Sequence, residues 1–167
     1  MAVKASFDIP PTKQKAIVQE IFEISSKQPE LTPRNIETLN ELANEGGLAL
    51  VFVSDKLAGW AAVESLTDNL CEVGMVYVKP EFRSAEVFTA LMNLVASRKE
   101  RMLLASYDPA LIRYVQTVWN AKKTNLLGAV IASRGRFITK RLNSSSRKAI
   151  QRKMQTGKPL FAIVGER

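Results

Sequence analysis

No histidine occurs anywhere in these 167 residues. That excludes histidine zinc ligands, a histidine general base and any Ser-His-Asp or Cys-His arrangement. Cysteine is nearly absent too. Cys71 stands alone, so no disulfide can close within the chain, and a reducing site of synthesis, the cytoplasm, is expected. A lone cysteine in an apolar run reads as core rather than as a nucleophile. Long apolar runs are missing as well. None approaches the roughly 20 residues that a membrane-spanning helix needs. The first residues, Met-Ala-Val-Lys-Ala-Ser-Phe-Asp, lack the apolar centre of a signal peptide. No membrane role is expected.

What is present is a globular composition, 46% hydrophobic and 24% charged, near the average for soluble domains. The length suits one domain with a substantial core. Basic residues outnumber acidic ones 24 to 16, a net charge of +8. Such a surplus points to an anionic partner, whether nucleic acid, an acidic protein face or a phosphate-bearing ligand, or serves solubility alone.

The apolar pattern predicts a succession of short elements. Residues 3–9 read as a strand stopped at Pro10-Pro11. Thr12 is a candidate cap for a helix whose stripe holds Ile17, Val18, Ile21 and Ile24. Thr32-Pro33 opens a second helix carrying Ile36, Leu39 and Leu42, which Gly46-Gly47 ends. Residues 48–53 form a continuous apolar run, hence a buried strand, and 57–66 read as its hairpin partner across Ser54-Asp55-Lys56. A third strand, 71–78, should pair beside that hairpin. Residues 84–98 have the spacing of an amphipathic helix, with Val87, Leu91, Leu94 and Val95 on one face. A strand at 102–107 and a helix begun by Asp108-Pro109 follow. Residues 126–132 and 136–142 read as two strands about a hairpin turn at Ser133-Arg134-Gly135. The fold class expected is α/β, with a mixed, mostly antiparallel central sheet flanked by helices.

Residues 71–95 carry the most specific signal. A strand runs from Cys71 to Val78, a charged turn follows, and a helix begins in Arg83-Ser84-Ala85-Glu86-Val87-Phe88. With the element order, this segment resembles the cofactor-binding segment of the GNAT superfamily of acyl-CoA N-acyltransferases, over residues 1–142. Arg83 stands five residues after Val78, where the family has Arg or Gln before the turn Arg/Gln-x-x-Gly-x-Gly/Ala. The resemblance implies that backbone amides of Tyr77 and Val78, and of Arg83, Ser84, Ala85, Glu86, Val87 and Phe88, form the acetyl-CoA site. It also implies a general-base role for Glu72, six residues before Val78. Tyr114 is the nearest candidate for the general acid toward the leaving thiolate.

The turn departs from the pattern. Glycine lets phosphates approach the backbone at a helix N-terminus. Here Glu86 and Phe88 stand in the glycine positions. A carboxylate within a few ångströms of a pyrophosphate costs about 1–4 kcal/mol, which Arg83 and Lys79 would partly offset. Equally, Glu86 is a favourable acid in a first helical turn. No bound cofactor is therefore the leading expectation, with acetyl-CoA as the alternative.

Beyond Leu142 the composition turns basic. Residues 143–167 read as an extension with a helical stretch and a last strand at 160–164. Its residues Arg147, Lys148, Arg152 and Lys153 are candidate contacts for a protein assembly partner or another anionic surface, nucleic acid included. Two functions of different class follow. One is a non-catalytic binding or assembly module on a degraded acetyl-CoA site; proteins of that kind resemble virion and assembly components of tailed phages, which implies a virion-associated location. The other is an active acetyl-CoA-dependent N-acetyltransferase of unspecified amine substrate.

Overall fold

A computed structural model describes residues 2–28, 31–32, 34–98, 100–139 and 159–165. The strands are β1 (Val3–Ser6), β2 (Leu48–Val53), β3 (Lys56–Thr67), β4 (Leu70–Val78), β5 (Arg101–Ser106), β6 (Lys122–Thr124) and β7 (Leu160–Val164). They form one seven-stranded sheet in the order β1-β2-β3-β4-β5-β7-β6. The helices are α1 (Pro11–Lys27), α2 (Ile36–Asn44), α3 (Ala85–Ala96), α4 (Pro109–Val118), α5 (Leu126–Ala132) and α6 (Arg136–Thr139), with a 3-10 turn at Pro80–Phe82. The expected mixed, mostly antiparallel sheet with flanking helices is what forms. The chain divides into two compact units, Met1–Val63 with Met75–Arg98, and Glu64–Gly74 with Lys99–Arg167.

In the first unit the hairpin of β2 and β3 turns on Ser54 and Asp55, both with positive φ (48° and 65°). Two successive left-handed residues match the twist of the flanking strands, and Val53 pairs with Lys56 directly beyond them. β2 is buried along nearly its whole length, as its unbroken apolar run demands. Leu48 and Leu50 join Trp60, Met75 and Tyr77 in a core with Ile17, Val18 and Ile21 of α1 and Leu39 and Leu42 of α2. α3 packs against β1 and β2 and buries Val87, Leu91, Met92 and Val95. α2 starts later than Thr32-Pro33 suggests, because Asn35 takes the cap position and accepts from the Thr38 amide at 2.8 Å. α1 begins at Pro11 with Pro10 at the cap and no side-chain capping bond, rather than at Thr12.

In the second unit β4 runs parallel to β5 from Leu70↔Arg101 to Val73↔Leu104. β7 lies antiparallel to both β5 and β6, so the strand expected at 160–164 is an interior one. Cys71 is buried and its thiol donates to the Arg101 carbonyl at 3.4 Å, consistent with a core cysteine. Leu66, Leu70, Leu103, Ala129, Phe137 and Phe161 form the second core.

Residues 126–132 are helical, and so is 136–139, which corrects the expected hairpin. Asn125 caps α5, its Oδ1 accepting from the Gly128 amide at 2.8 Å. Arg134 (φ 51°) and Gly135 (φ 80°) end the helix, with the Gly135 amide bonded to the Val130 carbonyl at 2.9 Å. A pair of left-handed residues serves a two-residue hairpin and a helix C-terminus equally well, and a seven-residue apolar run has no decisive period. The caps decide. β6 was not legible, since Lys122-Lys123-Thr124 has no apolar pattern.

Candidate functional site

The turn that follows β4 belongs wholly to the first unit. Met75 has φ 52° in mid-strand, a left-handed conformation that costs an L-residue about 1–2 kcal/mol and bends a strand locally. Its pairing with β5 has already ended at Val73. From Met75 to Val78 burial alternates, with Met75 and Tyr77 inside and Val76 and Val78 half-buried. The Tyr77 ring lies 4.9 Å from that of Trp60, tilted by 39°. Gly59 lets β3 approach: a Cβ there would sit 2.5 Å from the Tyr77 carbonyl oxygen. The Lys79 amide bonds the Ala58 carbonyl at 2.8 Å, and the Phe82 amide bonds the Lys79 carbonyl at 2.9 Å.

The Lys79 side chain turns away from the role expected of it. It is buried and its ammonium is paired with Glu20 of α1. Arg83 is exposed, and its Nε donates to the Val78 carbonyl at 3.2 Å. That bond draws the arginine back onto the end of β4.

Ser84 then caps α3. Its backbone is extended (φ −148°, ψ 159°) and its Oγ accepts from the Val87 amide at 3.2 Å. The Phe88 amide bonds the Ser84 carbonyl at 3.1 Å. The amides of Ala85 and Glu86 meet no acceptor among the described residues. Ala85 and Glu86 are exposed, Val87 is buried and Phe88 is half-buried. The residues from Tyr77 to Phe88 are thus brought together as one strand–turn–helix. Ser84's capping role was readable, since serine before a helical stripe is a preferred N-cap. The left-handed Met75 and the Lys79–Glu20 pair had no signal in the sequence.

The other two candidates lie in the second unit. Glu72 sits on β4 opposite Leu103 and is 3% exposed, a buried carboxylate engaged within the fold. Tyr114 lies half-buried on α4, its ring edge-on to Trp119 with centroids 6.4 Å apart. Asn120 (φ 53°), just past the Trp119 cap of α4, fills the left-handed position that glycine often takes. Arg147, Lys148, Arg152 and Lys153 lie outside the described residues. No described helix is long and apolar enough to cross a membrane, and no described group of side chains could hold a metal ion.

A parallel β4–β5 pairing that ends after four residues, with a Ser-capped helix following β4, accords with a GNAT-type acyltransferase fold. The family model described as acetyltransferase (GNAT) matches residues 15–126, and the chain belongs to that family. Solved structures agree in fold. A Mycobacterium tuberculosis protein in complex with CoA has 12% identity and a TM-score of 0.64, with 98% of each chain covered. A GNAT-family acetyltransferase from Bacillus cereus has 10% identity and a TM-score of 0.59, covering 100% of this chain and 99% of that one. N-acetylglutamate synthase from Neisseria gonorrhoeae, complexed with coenzyme A and N-acetyl-glutamate, has 9% identity and a TM-score of 0.63; 98% of this chain covers 35% of that one. At such identities the likeness is one of fold. Among curated proteins no sequence matches.

Proposed function

We propose that this GNAT-family chain is a non-catalytic binding or assembly module whose acyl-CoA turn has closed on itself. The observation that carries this reading is the state of the α3 N-terminus. An anion cradle needs several free amides facing one point. Here the Val87 amide is spent on the Ser84 hydroxyl, and one of the two open amides belongs to Glu86, whose carboxylate repels a pyrophosphate. Phe88 puts a ring where the family pattern has a small residue. The nearest buried cation, Lys79, is held by Glu20, and Arg83 is bonded to the Val78 carbonyl. These residues fit a pyrophosphate poorly. The anionic partner implied by the net charge of +8 would meet the basic segment that holds Arg147, Lys148, Arg152 and Lys153.

Isothermal titration with acetyl-CoA tests the reading. The unmodified chain should bind more weakly than about 100 μM, or −5.5 kcal/mol on the usual scale of roughly 1.4 kcal/mol per decade. The double variant Glu86→Gly, Phe88→Gly should bind more tightly. Low-micromolar binding by the unmodified chain sinks the proposal.

One observation favours the second reading, an active N-acetyltransferase. The backbone from Met75 to Val78 lies beyond the last residue of β4 paired with β5, and proteins of similar fold are solved with CoA. Under that reading these backbone groups hold the cofactor, which supplies the activated acyl group. Glu72 would then serve as the general base toward the acceptor amine and Tyr114 as the general acid toward the thiolate. Glu72→Gln should then abolish thiol release in an acetyl-CoA assay without lowering the melting temperature. Equal thiol release by both proteins would remove Glu72 from the mechanism.

A further inference from the structure

The second unit has a surface that neither reading uses. β6 is the last strand in the sheet order and pairs only with β7 among the described residues. Beside it, reaching across β7 to the start of β5, lies an open groove of about 670 Å³, of the size that takes a ligand. Its charged lining is Arg101, Lys122 and Lys123, and its apolar lining includes Val118, Trp119 and Val164. Among the described residues no carboxylate lines it; Glu100, next to Arg101 in the chain, is engaged within the fold.

We propose that this sheet edge docks an extended acidic peptide, which adds as a strand beside β6. Three observations converge on that occupant. The first is the strand edge itself, which offers backbone donors and acceptors to an incoming strand. The second is charge. Lysines on a sheet edge ordinarily discourage pairing between neutral strands, and the same lysines favour a strand that carries carboxylates. Lys122 and Lys123 are consecutive, so they stand over opposite faces of the strand, and a peptide laid beside them meets a cation on either face. The third is apolar exposure. The exposed large hydrophobic residues of the described chain are Val118, Leu126, Leu127, Ile131 and Ile138. Of these, Val118 alone lines the groove. It is 55% exposed. The matching peptide therefore carries carboxylates at consecutive positions, one over each face, with apolar side chains beside them. None of its residues belongs to the 75–88 segment, and its one neighbour among the candidate site residues is Tyr114, edge-on to Trp119.

Fluorescence anisotropy of a labelled peptide of Glu-Glu-Val-Val repeats on the full chain tests the proposal. Saturable binding is expected, with affinity falling at least tenfold in about 0.5 M salt, where the Debye length is only a few ångströms. Lys122→Glu with Lys123→Glu should lower affinity by at least tenfold. Both side chains are exposed, so the melting temperature should hold. If charge reversal disturbs folding, Lys122→Gln with Lys123→Gln supplies the same comparison with a smaller loss. A peptide N-methylated at alternate amides keeps its charge and loses its strand pairing; it should not bind. The proposal is overturned by absence of binding, by equal binding to the folded lysine variants, or by equal binding of the N-methylated peptide. It is also overturned if an oligothymidylate of equal charge displaces the peptide and binds more tightly, which would make this a nucleic-acid surface.

Discussion

Two residues at the turn are placed by opposite demands on space and polarity. Gly59 is there because β3 and β4 come too close for a side chain: its Cβ would meet the Tyr77 carbonyl oxygen at 2.5 Å. Backbone on both sides cannot yield as a flexible side chain would. Gly59→Ala should destabilise the protein by about 2–3 kcal/mol, in the range of overpacked cores, and urea denaturation would read it directly. A change below 0.5 kcal/mol, on the order of an ordinary surface substitution, would mean that the strands separate easily. Ser84 is there because the α3 amides need an acceptor. Ser84→Ala should cost about 1 kcal/mol, the usual worth of an N-cap. An unchanged midpoint would show that the Val87 amide is satisfied elsewhere.

At the scale of elements, the informative case is α5. Its residues Leu126, Leu127 and Ile131 are exposed, so packing does little to hold it helical, and seven residues make a marginal helix alone. Capping by Asn125 and the left-handed pair Arg134-Gly135 carries more of the burden. Asn125→Ala should loosen α5 by about 1 kcal/mol. Hydrogen exchange at the Gly128 amide would accelerate several-fold while exchange in β5 stays unchanged. Equal acceleration in both would mean that α5 opens only with its whole unit. The strands at 48–53, 71–78 and 102–107 were legible because each is an apolar run of strand length between turn residues. β6 was not, because a short polar edge strand exists only by pairing with β7.

For the whole molecule, the GNAT topology is shared with proteins solved with CoA, and the proposed reading of the turn before α3 expects weak CoA binding. The family match covers residues 15–126, and the described strands form one seven-stranded sheet. Under that reading the CoA Kd lies above about 100 μM. A ligand stabilises by RT ln(1 + [L]/Kd). At 1 mM CoA and a Kd above about 100 μM this is below about 1.4 kcal/mol. A chain of this size then gains less than roughly 5 °C in melting temperature. Differential scanning fluorimetry with and without CoA measures it. A larger shift would return the enzyme reading to first place.

Composition and spacing alone determined that histidine chemistry is impossible here, that β2 is a buried strand, and that a strand–turn–helix carries Arg83 through Phe88. Those conclusions rest on residue identity and on local period, which act within one element. Other features needed the tertiary structure. Lys79 and Glu20 are 59 residues apart in sequence and meet only because α1 lies near the end of β4. β7 follows β6 in the chain yet inserts between it and β5, which no local pattern encodes. Residues 126–132 are helical although their apolar run suits a strand equally. In each case the outcome depends on which distant groups satisfy a charge or a backbone amide, and chain folding alone brings those groups together.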